Sequence, residues 1–310
     1  MIWRDLLGAS TARRREPSAV TVGNFDGVHR GHQHVLARTR ALAGGLPVIA
    51  VTFEPHPLMV IAPDRAPKRL TTTERRVELL RAAGADEVRI LAFSAEMAAW
   101  TPQEFVDRVL VEQLTSALVA VGDNFRFGAH AGGDTTFLRA AGARAGFAVD
   151  GLHLDGGSQP YSSTLARTLV AEGKLREAAA VLGRPHEVSG VVRQGEQRGR
   201  ELGFPTANVP VDESYVVPPD GVYAGWVVRP QYGGERLPAA ISVGSNPTFD
   251  GVERRVESYV LDRTDLDLYG ESIRVELVDR LRGMVKYEGV DALVEQMHLD
   301  VAATRVALSS

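Results

Sequence analysis

At 310 residues, with 44% hydrophobic and 24% charged side chains, the chain has the make-up of a globular protein long enough for two hydrophobic cores. A formal net charge of -4 excludes an electrostatic case for nucleic acid or an anionic membrane as partner. With no cysteine present, disulfides, thiolate zinc sites and a cysteine nucleophile are excluded together.

The first segment, MIWRDLLGASTARRREP, lacks the continuous apolar stretch of a secretory signal. No later segment approaches the roughly 20 apolar residues of a membrane span, so a cytoplasmic location is the default expectation. The basic cluster Arg13, Arg14 and Arg15 reads as a solvated loop. From Ser18 to about Leu154, the runs SAVTVGNF, LPVIAVTF, EVRILAF, SALVAVGDNF and FAVDGLHL are apolar enough to be buried on both faces, as parallel strands are.

Helix candidates lie between these runs. HQHVLARTRALAGG is amphipathic. TTTERRVELLRAAGA places Val77, Leu79, Leu80 and Ala83 at helical spacing and ends at Gly84. In TPQEFVDRVLVEQL, Thr101 and Glu104 form a capping-box pattern with Pro102 at the first helical position. This alternation predicts a doubly wound α/β domain whose ligands bind at the carboxyl ends of its strands.

SSTLARTLVAEG and KLREAAAVLG read as two further helices, each closed by a glycine. After GRPHE the texture changes. EVSGVVRQG, GVYAGWVVRP, LPAAISVG, RRVESYVLD and SIRVELVDR are strand-like runs separated by turn residues, with no helical pattern until VDALVEQMHLDVAATRVAL. An antiparallel β-barrel or sandwich closed by one terminal helix is predicted, with a boundary near Gly183 to Pro185 that gives domains 1–184 and 185–310.

Two constellations carry chemistry. The stretch GNFDGVHRGH, Gly23 to His32, follows the first strand and enters a helix, so unpaired backbone N–H groups and the helix dipole favour an anion there. His29 and His32, three apart, add two side-chain donors to the same place. Three readings compete: a phosphate cradle, a metal site short of further ligands, and histidines that merely cap or pack. Neither a strict dinucleotide fingerprint nor a Walker loop is present.

The second constellation is GRELGFPTANV. On an extended chain Thr206 and Asn208 project from one face, and a hydroxyl with an amide oxygen makes a hard ligand pair suited to Mg²⁺. A proline-led turn with capping residues is the alternative. The upstream glycines Gly195, Gly199 and Gly203 favour a loop that covers phosphates.

These motifs support a wider resemblance. GNFDGVHRGH, FEPHP (Phe53 to Pro57), GDNFRFG (Gly122 to Gly128) and SSTLAR (Ser162 to Arg167) occur in the order seen in the adenylyltransferase half of the prokaryotic bifunctional riboflavin kinase/FAD synthetases. GRELGFPTANV and GVYAGWV (Gly221 to Val227) resemble that family's kinase half, so the likeness spans nearly the whole chain.

The resemblance implies a Rossmann-like nucleotidyltransferase domain, with a doubly wound parallel sheet, followed by an antiparallel β-barrel flavokinase domain with a terminal helix. It further implies conversion of riboflavin to FMN and of FMN to FAD, with ATP as co-substrate and Mg²⁺ in both steps. Around the adenylyltransferase ATP it implies Gly23, Asn24, Phe25, Asp26, Gly27, His29 and His32, with Ser162, Ser163, Thr164 and Arg167 holding the outer phosphates. It places His56, Asn124 and Arg126 near the flavin.

In the kinase half the resemblance implies Gly199, Gly203, Thr206 and Asn208 at ATP and Mg²⁺, Glu257 as catalytic base, and Asn246, Pro247 and Thr248 against the flavin. Ala166 stands where a bulkier aliphatic residue is expected, and Asp26 and Asp123 read as turn residues rather than metal ligands. A flavin- or nucleotide-sensing regulator, or a chain with only one half active, is the alternative. A homo-oligomer is compatible with either reading.

Overall fold

The computed structural model describes residues 12–152, 161–194, 202–248, 251–263 and 265–309, with the side chains of 246–248 and 251–253 outside that description. Two compact units divide the chain. One takes the chain to Pro67 and again from Thr72 to Ser162, and the other takes Lys68–Thr71 and Ser163 onward.

The first unit is built on five parallel strands, β1 (Ser18–Val22), β2 (Val48–Glu54), β3 (Glu87–Ala92), β4 (Ser116–Gly122) and β5 (Ala148–Leu152), in the order β3-β2-β1-β4-β5. The expected doubly wound sheet is present. Alternate side chains feed two layers: Ala19, Val48, Ala50 and Val88 join one core, and Val20, Val22, Ile49 and Val51 the other.

The first core is covered by α1 (Arg30–Leu42) and α3 (Thr73–Ala82) through Leu36, Val77 and Leu80. Between β2 and α3 lies the short helix α2 (Pro57–Ile61). Thr72 caps α3 by accepting the Arg75 N–H, and Gly84 at φ 109 follows its end, as the sequence predicts. The opposite face carries α4 (Ala95–Ala98), α5 (Pro102–Phe105) and α6 (Thr135–Ala145).

The expected capping box at Thr101 and Glu104 forms, but the helix beyond it differs from expectation. Residues Val106–Gln113 widen into π turns, with the Leu114 N–H reaching Val109 O at 3.1 Å, and Val106, Val109 and Leu110 all point into the core.

In the second unit, α7 (Ser163–Ala171) and α8 (Leu175–Leu182) precede six antiparallel strands. These are β6 (His186–Val191), β7 (Thr206–Pro210), β8 (Gly221–Arg229), β9 (Glu235–Thr248), β10 (Gly251–Val260) and β11 (Ser272–Arg282), in the order β6-β11-β8-β9-β10-β7. Beyond the end of β6, the Arg193 N–H donates to Asn208 O at 2.8 Å on β7, so the sheet curls until its two edges meet.

Helix α9 (Val290–Ser309) docks on the sheet. Its Asp300 accepts two bonds from Arg282, at 2.8 and 2.6 Å. Ala166 is fully buried on α7, so the small residue fits a close contact.

The compact units do not divide where the sequence boundary at 184/185 falls. Helices α7 and α8 pack on one another, and α8 packs on β6 and β11, which assigns both to the second unit. Among the described residues, no helix is long and apolar enough to cross a membrane.

Candidate functional sites

In the first unit, three loops leave the carboxyl ends of adjacent parallel strands β2, β1 and β4, the edge at which open α/β sheets bind ligands. Each of these loops contains sequence-predicted site residues. The central one, Gly23 to His29, leaves β1 after the Gly23 N–H donates to Val51 O at 3.0 Å.

Its backbone is contorted, with positive φ at Phe25 (50°), Gly27 (78°) and Val28 (39°). A β-branched residue at positive φ is costly, and such strain persists where the surroundings hold it for a purpose. Gly23 has a steric role: a Cβ there would lie 3.2 Å from the Phe25 ring, which is itself buried. Asp26 is also buried, at 2% exposure.

His29 is the N-cap residue of α1 but makes no side-chain cap, and no acidic residue occupies the first turn. Among the described residues, neither the N-cap side chain nor a first-turn carboxylate takes up the first amides of this 13-residue helix, the condition for anion binding. The His29 and His32 rings stack with centroids 3.6 Å apart, and the Phe25 ring meets His32 edge-on at 5.1 Å. Burial, followed by repulsion from a charged His29, holds the His32 pKa well below its usual 6.5.

His32 is therefore neutral at pH 7. Its buried Nδ1 has no hydrogen-bond partner among the described residues.

His56, at the end of β2, has a definite structural task. Its Nδ1 accepts the Leu58 N–H at 3.2 Å and so caps α2. Its other ring nitrogen, Nε2, lies 3.4 Å from the Asn24 amide nitrogen Nδ2, so the α2 cap also sets the ring beside the Gly23 to His29 loop. Asn124 and Arg126 are exposed on the loop after β4, where the Arg126 guanidinium donates to Phe125 O at 3.0 Å.

Ser162 closes the first unit. Ser163, Thr164 and Arg167 lie on α7 of the second, where Arg167 Nε donates to Lys68 O at 2.7 Å.

The second site is a cleft of about 760 Å³ in the second unit, lined by residues of β7, β9 and β10. Val256, Ser258 and Val260 of β10 are buried, and Arg255 and Glu257, one residue out of step with them, line the cleft together with Thr206, Asn208 and Ser242. Antiparallel register sets Glu257 opposite Asn208 on β7 and opposite Ser242 on β9. The Asn208 amide donates to Thr206 O at 3.3 Å and approaches Thr206 Oγ1 at 3.4 Å.

The two residues thus share a face as predicted, and the turn alternative is excluded because both lie within β7. A hydroxyl, an amide oxygen and a nearby carboxylate form a hard-oxygen set that fits Mg²⁺.

Gly203 has φ 85° and sits in the turn before β7. Gly195 and Gly199 lie outside the described residues. Asn246, Pro247 and Thr248 form the end of β9, paired with Glu253, Val252 and Gly251, and their side chains lie outside the description. Ser242 and Arg255 were not among the sequence candidates. The period-two alternation around Glu257 is the signal that marks Arg255, two residues away.

Comparison with known proteins matches both halves. The model of the FAD synthetase family covers residues 11–165, and that of the riboflavin kinase family covers residues 182–308. A protein of Escherichia coli (strain K12) named bifunctional riboflavin kinase/FMN adenylyltransferase is 38% identical over 295 residues, covering 94% of this chain and 93% of that one. The protein of the same name from Bacillus subtilis (strain 168) is 33% identical over 291 residues, with 91% and 90% covered.

A solved structure from Streptococcus pneumoniae, titled a macrolide-efflux protein, superposes with a TM-score of 0.85 at 31% identity and covers 95% of this chain and 96% of its own. With two family models in register with the two folds, the chain belongs to the bifunctional riboflavin kinase/FMN adenylyltransferase family.

Proposed function

We propose that the second unit phosphorylates riboflavin to FMN and the first adenylylates FMN to FAD, both at the expense of ATP, in a cytoplasmic enzyme. The observation that carries this reading is Glu257 set opposite Asn208 in a cleft that also holds Thr206. A sensor that only binds flavin has no use for a base beside a hard-oxygen pair.

In the kinase step, the primary hydroxyl of riboflavin attacks the γ-phosphorus of ATP and ADP leaves. An alcohol is neutral and must lose its proton, so the Glu257 carboxylate takes it. Thr206 Oγ1 and Asn208 Oδ1 would hold Mg²⁺, which when bound neutralises charge on the ATP phosphates. Gly203 shapes the turn that leads into this strand. Asn246, Pro247 and Thr248 are the proposed flavin contacts.

In the adenylyl step, an FMN phosphate oxygen attacks the α-phosphorus of ATP and pyrophosphate leaves. That nucleophile is ionised at neutral pH, so the site needs positioning and charge stabilisation rather than a base. The Gly23 to His29 loop and the α1 N-terminus supply N–H donors. A neutral His32 stacked on His29 supplies hydrogen bonds, so the pair does not act as two cations.

Ser162, Ser163, Thr164 and Arg167 are proposed for the outer phosphates, and Asn124 and Arg126 for the flavin. His56 acts on the flavin side through Asn24 and the α2 cap.

Incubating the purified chain with riboflavin, ATP and Mg²⁺ and separating FMN from FAD by chromatography tests this reading. Appearance of FMN and then FAD is expected. Absence of both above a no-enzyme control sinks the enzyme assignment in favour of a sensor, and FMN alone leaves the chain with one active half.

A further inference from the structure

Arg76 is marked by no motif, and an arginine on an amphipathic helix is ordinarily solvated. Here it is 4% exposed, on the inner side of α3 behind the Gly23 to His29 loop. One guanidinium nitrogen donates to the Asn24 carbonyl at 3.2 Å, and another to the Phe53 carbonyl at 3.0 Å and to Glu54 Oε2 at 3.1 Å. The same Glu54 oxygen accepts the Thr73 hydroxyl at 2.5 Å. Thr52 Oγ1 donates a second bond to the Asn24 carbonyl, at 3.0 Å.

Two donors thus draw the Asn24 carbonyl into the protein. The Asn24–Phe25 peptide is trans and planar, so its N–H points the opposite way, out of the loop's other side. Phe25, at φ 50°, and Gly27, at φ 78°, then turn the chain sharply, a backbone form that gathers N–H groups into an anion-binding concavity.

We propose that Arg76 is a positioning residue for adenylyl transfer: by holding the Asn24 carbonyl inward it keeps the Phe25 N–H on the side where the ATP phosphates bind. The proposal rests on reading this loop as the ATP site. Arg76 touches no reacting atom, and its charge is matched by Glu54, so it fixes geometry without adding net charge to the site.

Replacing Arg76 alone would strand the Glu54 carboxylate, so the informative variant is Arg76→Met combined with Glu54→Gln, alongside Arg76→Lys. Initial rates of FAD formation from supplied FMN at varied ATP, and of FMN formation from riboflavin, are measured on each preparation together with its thermal unfolding. For the double variant we expect kcat for FAD formation to fall on the order of 100-fold, the scale of a catalytic group misplaced by about 1 Å. Riboflavin phosphorylation and cooperative unfolding are retained.

Lysine keeps a cation and N–H donors within reach of Asn24, so Arg76→Lys recovers most of the lost rate. Equal impairment of the two variants, unimpaired FAD formation by the double variant, or loss of the first unit's unfolding transition would each overturn the positioning role. A wild-type chain that forms no FAD from FMN would sink the ATP-site reading beneath it instead.

Discussion

Glu257 and Asn208 are register partners on antiparallel strands, and both line one cleft, with Ser242 on Glu257's other side. Strand pairing fixes this relationship, so it does not depend on loop closure. A carboxylate and an amide oxygen held this way can divide the work of accepting a proton and ligating a cation. Glu257→Gln keeps shape and hydrogen bonding but removes the base. FMN formation is expected to fall by about 10²- to 10⁴-fold, while FAD synthesis from supplied FMN is unchanged. Parallel loss of both activities in the two-product chromatographic assay would contradict the two-site division.

Asn208→Leu tests the metal pair separately. The leucine matches the amide's shape but offers no oxygen, and the strand's closing bond uses only the Asn208 backbone carbonyl, which stays. Half-saturating Mg²⁺ for FMN formation should rise by about tenfold, equivalent to about 1.4 kcal/mol of binding. A Mg²⁺ titration that superposes on the wild type removes Asn208 from the ligand set.

Much of this was legible in the chain because local and global signals agree. The apolar runs became the parallel strands, and the capping box at Thr101 and Glu104 starts its helix as read. Thr206 and Asn208 share a face because β7 is extended. What escaped reading depends on partners distant in sequence. Arg76 meets Asn24 across 52 positions, and nothing in TTTERRVELL separates it from its exposed neighbours. The capping role of His56 escaped for a different reason: its Nδ1 accepts the Leu58 N–H at the start of α2, a bond visible only once PLMVI turns helical. Helices α7 and α8 follow the α/β pattern in sequence, yet α8 packs on strands β6 and β11 of the barrel and α7 packs on α8.

Gly225 tests the barrel's integrity without touching its cleft. On β8 its Cβ would run into the Glu276 carbonyl oxygen and lie 2.5 Å from Ile241 Cδ1, a clash with the neighbouring strand's backbone that no rotamer relieves. Gly225→Ala should destabilise the second unit by about 3 kcal/mol or more. The expected signature is early thermal loss of riboflavin kinase activity while FMN adenylylation survives to its usual temperature. Coincident loss would mean that the two units unfold as one.

The stacked histidines make the first unit sensitive to acid, and the sign follows from linkage. Burial and then repulsion by His29 lower the folded-state pKa of His32 below the unfolded 6.5. Between those two values the unfolded chain binds more protons than the folded one, so stability rises with pH across that window. Above 6.5 this contribution is fully present and flat, and as pH falls below 6.5 it is lost until the folded pKa is reached. His32→Gln keeps a polar side chain but cannot titrate. Thermal unfolding of the first unit should therefore decline less between pH 7.5 and pH 5 in the variant than in the wild type, with both curves level above neutrality (a window of about 2.5 pH units that brackets the ordinary histidine pKa). Parallel curves over that range would show that the histidine stack is not what couples this unit to acid, and would return His32 to the charged state that its burial argues against.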